Sequence, residues 1–148
     1  MFVWRISNHA SLDGLGGRRA AGRWHRRGQQ VVYAASSPAA ALLEVLVRHQ
    51  LDSCGFPATY KLLKIRIPDR LASERVEAAR LPDNWRNNIE VTRKIGNAWL
   101  DSMRTPILWA PSVIVPETYN LLINPLHRHS SRIRMVDVQK HEFDERLR

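Results

Sequence analysis

Along the chain, short apolar runs alternate with polar breaks, and their spacing switches between two residues and three or four. Phe2 to Ser7 alternates and predicts a first strand, and Gln30 to Ala34 a second. Ser37-Pro38 sets an N-cap residue before a proline at the first helical position, which predicts a helix running to about Gln50. Thr59 to Ile67 predicts a strand with one solvated face, stopped by Pro68, whereas Leu71 to Ala79 fits neither period. After a turn at Leu81 to Trp85, Ile89, Thr92, Ile95, Trp99 and Met103 mark an amphipathic helix. Gly96 inside it costs about 1 kcal/mol relative to alanine. Ile107 to Ala110, Val113 to Val115 and Asn120 to Asn124 predict short buried strands broken by turns at Pro111-Ser112 and Pro125, and Arg132 to Phe143 a late strand. The segment from 9 to 30, with Arg18, Arg19, Arg23, Arg26 and Arg27 among glycines, reads as a basic loop. No repeat or linker interrupts the pattern. The expectation is one α+β domain over residues 1–148.

Composition agrees. With 148 residues, 44% of them hydrophobic, one domain buries about 70% of the surface its unfolded chain exposes, without needing staples. The single cysteine, Cys54, has no internal disulfide partner and no zinc-ligand spacing around it, which favours a reducing compartment. No apolar run reaches the roughly 20 residues of a membrane span, and the opening lacks the layout of a secretory leader, so the expected location is cytoplasmic. The net charge of +9 is uneven, with +5 in residues 1–50 and +1 in residues 101–148. Such a field attracts phosphates, whether of a nucleic acid or a dinucleotide, or else an acidic protein.

The chemistry-bearing residues narrow the choice. The histidines are scattered, and His127-x-His129 has no third ligand at a productive spacing, so no metal is expected. Gly14-Leu15-Gly16-Gly17 lacks the third glycine of a dinucleotide fingerprint, and no phosphate loop or nucleophile elbow is present. Glu44 stands out, because its helical neighbours Ala40, Ala41 and Val47 are small or apolar. A carboxylate partly buried there serves as a base or stabilises a cation, unless it only pairs with Arg48 on the helix surface. Arg23, followed by Trp24, suits a bidentate grip on phosphate, against the alternative of a solvated loop arginine. Tyr33 is either core packing or a ring on which a flat heterocycle stacks, and Ser112 either a turn residue or a pocket hydroxyl.

Taken in order, these stretches resemble the RES domain. The resemblance runs from Arg5 through Gly22-Arg23-Trp24, Val32-Tyr33-Ala34 and Ser37-Pro38 to Glu44. It continues through Leu81-Pro82, Ile95-Gly96-Asn97-Ala98-Trp99, Pro111-Ser112 and Asn120 to His127, and closes on Phe143 to Leu147. The family takes its name from an Arg, a Glu and a Ser, matched here by Arg23 or Arg5, Glu44 and Ser112. The resemblance implies a compact domain similar to the ADP-ribosyltransferase fold, with short mixed strands around a cleft. It implies a toxin of a toxin–antitoxin pair whose substrate, rather than cofactor, is NAD+, cleaved at the nicotinamide–ribose bond by hydrolysis or phosphorolysis. Glu44, Arg23 and Ser112 would then be catalytic, with Arg5, Tyr33 and Asn120 binding NAD+. The implied partner is an Xre-like helix-turn-helix antitoxin, through which alone the toxin would meet DNA, with room for a homodimer in that complex.

Two other readings compete. Transfer of ADP-ribose to a protein would use the same residues, and a basic nucleic-acid-binding module would explain the charge. The latter lacks a recognition helix and the aromatic strands of an RNA-binding sheet.

Overall fold

The structure, a computed structural model, describes residues 1–51 and 57–147. Cys54 lies outside the described residues. Seven strands, β1 (Phe2–Ser7), β2 (Val32–Ala35), β3 (Thr59–Arg66), β4 (Ser73–Arg75), β5 (Ile107–Pro111), β6 (Tyr119–Ile123) and β7 (Arg134–Glu142), form one sheet. Their order is β4-β5-β6-β2-β1-β3-β7, antiparallel throughout except for the parallel β4–β5 pair. The helices are α1 (Gly16–Arg19), α2 (Pro38–Leu51) and α3 (Ile89–Ser102).

Successive side chains of a strand face opposite ways, and the core divides accordingly. Val32, Ala34, Ile107, Leu121 and Ile123 join Val3 and Ile65 in one cluster, while Leu108, Ala110 and Leu122 join Trp24, Trp85 and Trp99 in another. The Ser37 hydroxyl accepts the Ala40 amide at 3.1 Å, so the predicted N-cap is made, and α2 then packs across β1 and β2. Those two strands share a single residue pair, Trp4 with Ala35, and the cleft described below opens beside it.

Helix α3 is fastened to the chain at 22–26. Thr92 Oγ1 donates to the Arg23 carbonyl at 2.6 Å, Arg93 Nε to the Gly22 carbonyl at 3.0 Å, and Asn97 Oδ1 accepts the Arg26 amide at 3.1 Å. Gly96 sits directly under the Trp24 carbonyl, where a Cβ would overlap backbone. The helix therefore keeps its glycine for close approach, which outweighs the loss of helix propensity.

Three segments differ from the expectation. The basic loop contains a helical turn, α1, which glycine-rich sequence conceals. Val113 to Val115 forms no strand, because Ser112 Oγ accepts the amides of Ile114 and Val115 at 3.1 and 3.2 Å and curls the chain into a turn. The unassigned stretch from 71 to 79 supplies β4, which joins the sheet only through its parallel pairing with β5. The late strand is present as expected, as β7 at the sheet's edge, with Val136 and Val138 exposed.

Gly96→Ala tests the α3 contact. Helix propensity alone predicts a gain of about 1 kcal/mol, whereas overlap with backbone predicts a net loss of about 1–3 kcal/mol. A lower urea midpoint with unchanged slope is the expected result.

Candidate active site

Glu44 projects from α2 toward the ends of β5 and β6. Its Oε1 accepts hydrogen bonds from Ser112 Oγ at 3.1 Å and Asn120 Nδ2 at 2.7 Å. Asn120 is brought there by register, lying opposite Ala110 on β5 and Ala35 on β2. Ser112 follows β5 directly and is almost fully buried. Oε1 thus has both lone pairs occupied, which fixes the carboxylate, while Oε2 has no protein hydrogen bond among the described residues. Among the described ion pairs none joins Glu44 to Arg48. The helix-surface alternative therefore gives way to a carboxylate held by neutral donors.

Glu44 lines a cleft of about 650 Å³ and is the only acid among the described residues that do so. Arg5, Arg23, Arg48 and Arg93 also line it. Arg5 Nη1 donates to the Tyr33 carbonyl at 3.0 Å, and its buried Nε has no partner among the described residues. Burial lowers the Arg5 pKa from its ordinary value, and the neighbouring Arg48 lowers it further. Arg23 is deployed differently. Its Nη2 donates to the carbonyls of Trp85 and Arg86, the latter at 2.7 Å, and the guanidinium lies 5.9 Å from the Trp85 ring centroid. This arginine clamps its loop to the turn at 85–87.

Tyr33 lines the cleft from β2. Its hydroxyl accepts the Trp24 amide at 3.1 Å and lies 2.8 Å from His25 Nδ1. Burial pushes the Tyr33 hydroxyl pKa well above its ordinary value and is the largest influence lowering that of His25.

Of the six residues singled out from sequence, five line the cleft, and Ser112 stands behind it, reaching Glu44 from the turn. Sequence reading missed Arg48, Arg93 and His25. Arg48 had a signal, since four residues separate it from Glu44 on one helical face. Arg93 had only its i,i+3 pairing with Glu90, which marks a helix surface, and the bonds that place Arg93 and His25 in the cleft go to backbone carbonyls of distant or irregular segments.

A family model described as the RES domain matches residues 2–144. A "Toxin Res" of Pseudomonas putida is 45% identical over 139 residues, covering 93% of this chain and 94% of that protein. A "Prs ADP-ribosylating toxin" of Sphingobium sp. is 41% identical over 154 residues, covering 97% and 94%. The crystal structure of the M. tuberculosis MbcT–MbcA toxin–antitoxin complex contains a chain with the same fold, at TM-score 0.76 and 17% identity, over 95% of this chain and 84% of that one. The expected α+β architecture is thereby matched by a chain of that complex.

The clamp reading of Arg23 has its own test. Arg23→Lys keeps the charge but loses the fork onto two carbonyls, and is expected to cost about 1–2 kcal/mol in a urea titration. An arginine that only waits for phosphate would show no such loss.

Proposed function

Because this chain belongs to the RES domain family, we propose that it is a toxin that cleaves the nicotinamide–ribose bond of NAD+. The observation that carries the reading is Glu44, a carboxylate fixed through one oxygen by Ser112 and Asn120, in a cleft where arginines lie among small and apolar lining residues.

Breaking that bond builds positive charge on the ribose as an oxocarbenium-like transition state. A preoriented carboxylate stabilises such charge most where it need not reorganise. Oε2 accepts hydrogen bonds from the ribose hydroxyls and faces the developing cation, while Ser112 and Asn120 act through Glu44 as positioning residues. The bonding pair moves onto the pyridinium nitrogen, so nicotinamide departs neutral and needs no proton. Water or inorganic phosphate then bonds to the anomeric carbon, water releasing its proton to solvent.

Arg5 and Arg48 hold the pyrophosphate in this reading, since neither is matched by a carboxylate within the cleft, and the Tyr33 ring stacks against the nicotinamide or ribose. Arg23 contributes mainly by holding its loop. Asn120 Oδ1, buried without a partner among the described residues, is a further acceptor available at the site.

The name of the Sphingobium relative favours a second reading, transfer of ADP-ribose to a protein, with a protein side chain in place of water. The partner proposed for either reading is an antitoxin of the Xre-like helix-turn-helix type that covers the cleft. MbcT and MbcA form a toxin–antitoxin complex. No described helix is long and apolar enough to cross a membrane, and we take the cytoplasm as the place of action.

The deciding experiment is NAD+ consumption by the purified chain, with and without phosphate, resolving nicotinamide, ADP-ribose and its 1-phosphate. Glu44→Gln is expected to lose at least about 100-fold in turnover with little change in Tm; turnover near wild type would sink the assignment. Arg48→Ala is expected to raise KM roughly tenfold with kcat preserved, as for a group that grips ground and transition states alike. No consumption by the wild type under any condition would leave protein modification in front.

A further inference from the structure

We infer that His25 is the positioning residue of the cleft, coupling the Tyr33 ring on the sheet to the glycine-rich lip formed by α1 and residues 20–22. The inference rests on the NAD+-cleaving reading only for its kinetic consequences.

The wiring follows from hydrogen-bond polarity. His25 Nε2 lies 3.2 Å from the Gly17 carbonyl and 3.1 Å from the Ala20 carbonyl. Carbonyls only accept, so Nε2 carries the proton and donates to both. In the neutral ring Nδ1 is then an acceptor, and the Tyr33 hydroxyl at 2.8 Å donates to it. That hydroxyl in turn accepts the Trp24 amide. One directed chain thus runs from the Trp24 amide through Tyr33 and His25 to the lip.

Packing enforces the same arrangement. His25 is 3% exposed. A Cβ on Gly22 would stand 2.8 Å from the Tyr33 hydroxyl and 2.9 Å from the imidazole, and one on Gly17 would meet Nε2 at 3.1 Å. Both glycines belong to the lip and line the cleft; Gly22 is pressed against this ring and the Tyr33 hydroxyl, while Gly17 lies against the ring and, more closely, the Gln29 carbonyl. The charged groups felt by the ring are Arg93 from α3 and Arg48 from α2, both cationic. Together with burial they keep it neutral, against the two carbonyls that favour the cation.

Protonating Nδ1 would place a donor against the Tyr33 hydroxyl, whose acceptor side already takes the Trp24 amide. The hydroxyl proton would lose its partner and the ring its fixed position. Turnover is therefore expected to be level above the lowered His25 pKa and to fall as pH drops through it, below the ordinary histidine range.

Two substitutions separate the halves of the device. His25→Asn presents an oxygen near the Nδ1 position and keeps the Tyr33 acceptor, whereas His25→Gln presents an amide near Nε2 and keeps the bond to the lip. His25→Gln and Tyr33→Phe are each expected to raise KM for NAD+ about fivefold, and the double variant no further, since both break one bond. His25→Asn is expected to restore KM to within about twofold while lowering Tm. Independent effects of the first two, or equal KM for all three with only Tm changed, would overturn the inference. The imidazole 15N spectrum of the unliganded full chain supplies a readout without activity: it should show a protonated Nε2 and a bare Nδ1. The opposite tautomer overturns the inference. A wild type with the expected tautomer but no NAD+ consumption overturns the proposed function instead.

Discussion

The parting of β1 from β2 after one backbone pair is the constraint on which the cleft depends. Continuing the antiparallel register from Trp4 and Ala35 would set Ile6 opposite Tyr33 and close the sheet. A strand carbonyl left without its ladder partner must find another, and the Tyr33 carbonyl takes the Arg5 guanidinium. Arg5 therefore does two things with one side chain. It satisfies the backbone group that the opening exposes, and it carries positive charge into the space so created.

From that opening the rest follows by position. Helix α2 spans the two strands, its start fixed by Ser37 and its middle by Glu44, whose bonds to Ser112 and Asn120 reach across to β5 and β6. A surface ion pair of a helix contributes only about 0.5 kcal/mol and leaves its carboxylate mobile. Two neutral donors at the end of a sheet hold it without adding a compensating cation. The consequence is electrostatic: the guanidinium groups around the cleft repel one another, and Arg48 adds to burial, the larger cause, in lowering the Arg5 pKa. Under the proposed function, a pyrophosphate entering there offsets that repulsion with two charges at once.

Periodicity made six of the seven strands, the two long helices and the inward face of Glu44 legible, because each is a local pattern with a fixed repeat. It failed where geometry is set by contact between distant segments. Gly96 read only as a weak point of α3 until the Trp24 carbonyl was found against it. Ser112 was legible as a turn residue or a pocket hydroxyl, and is the first directly while serving the second through Glu44. His25 was invisible, since two of the three partners of its ring, the carbonyls of Gly17 and Ala20, are reached through chain irregularity rather than through any repeat. The resemblance to a family located Glu44, Arg23 and Ser112 but left Arg5 and Arg23 unranked. Only the carbonyls of Trp85 and Arg86 distinguish the clamp from the open guanidinium.

That distinction also weighs the basic segment itself. A cluster of arginines on a glycine-rich stretch suggests a pliable surface for nucleic-acid phosphates. Here Arg23 is bonded to carbonyls, Arg26 pairs with Glu90 at 2.9 Å, and the backbone between them is held by Thr92, Arg93 and Asn97 of one helix. The stretch is a wall rather than an arm. Arg18, Arg19 and Arg27 stay exposed outside the cleft, whereas Arg23 joins Arg5, Arg48 and Arg93 in lining a space of about 650 Å³ that holds one carboxylate, the size of a small-molecule site. A groove-binding protein spreads its cations over a convex or extended face to release many counterions. Under the proposed NAD+ cleavage, cations gathered beside an anchored glutamate suit a substrate whose phosphates are anionic and whose ribose becomes cationic as it reacts.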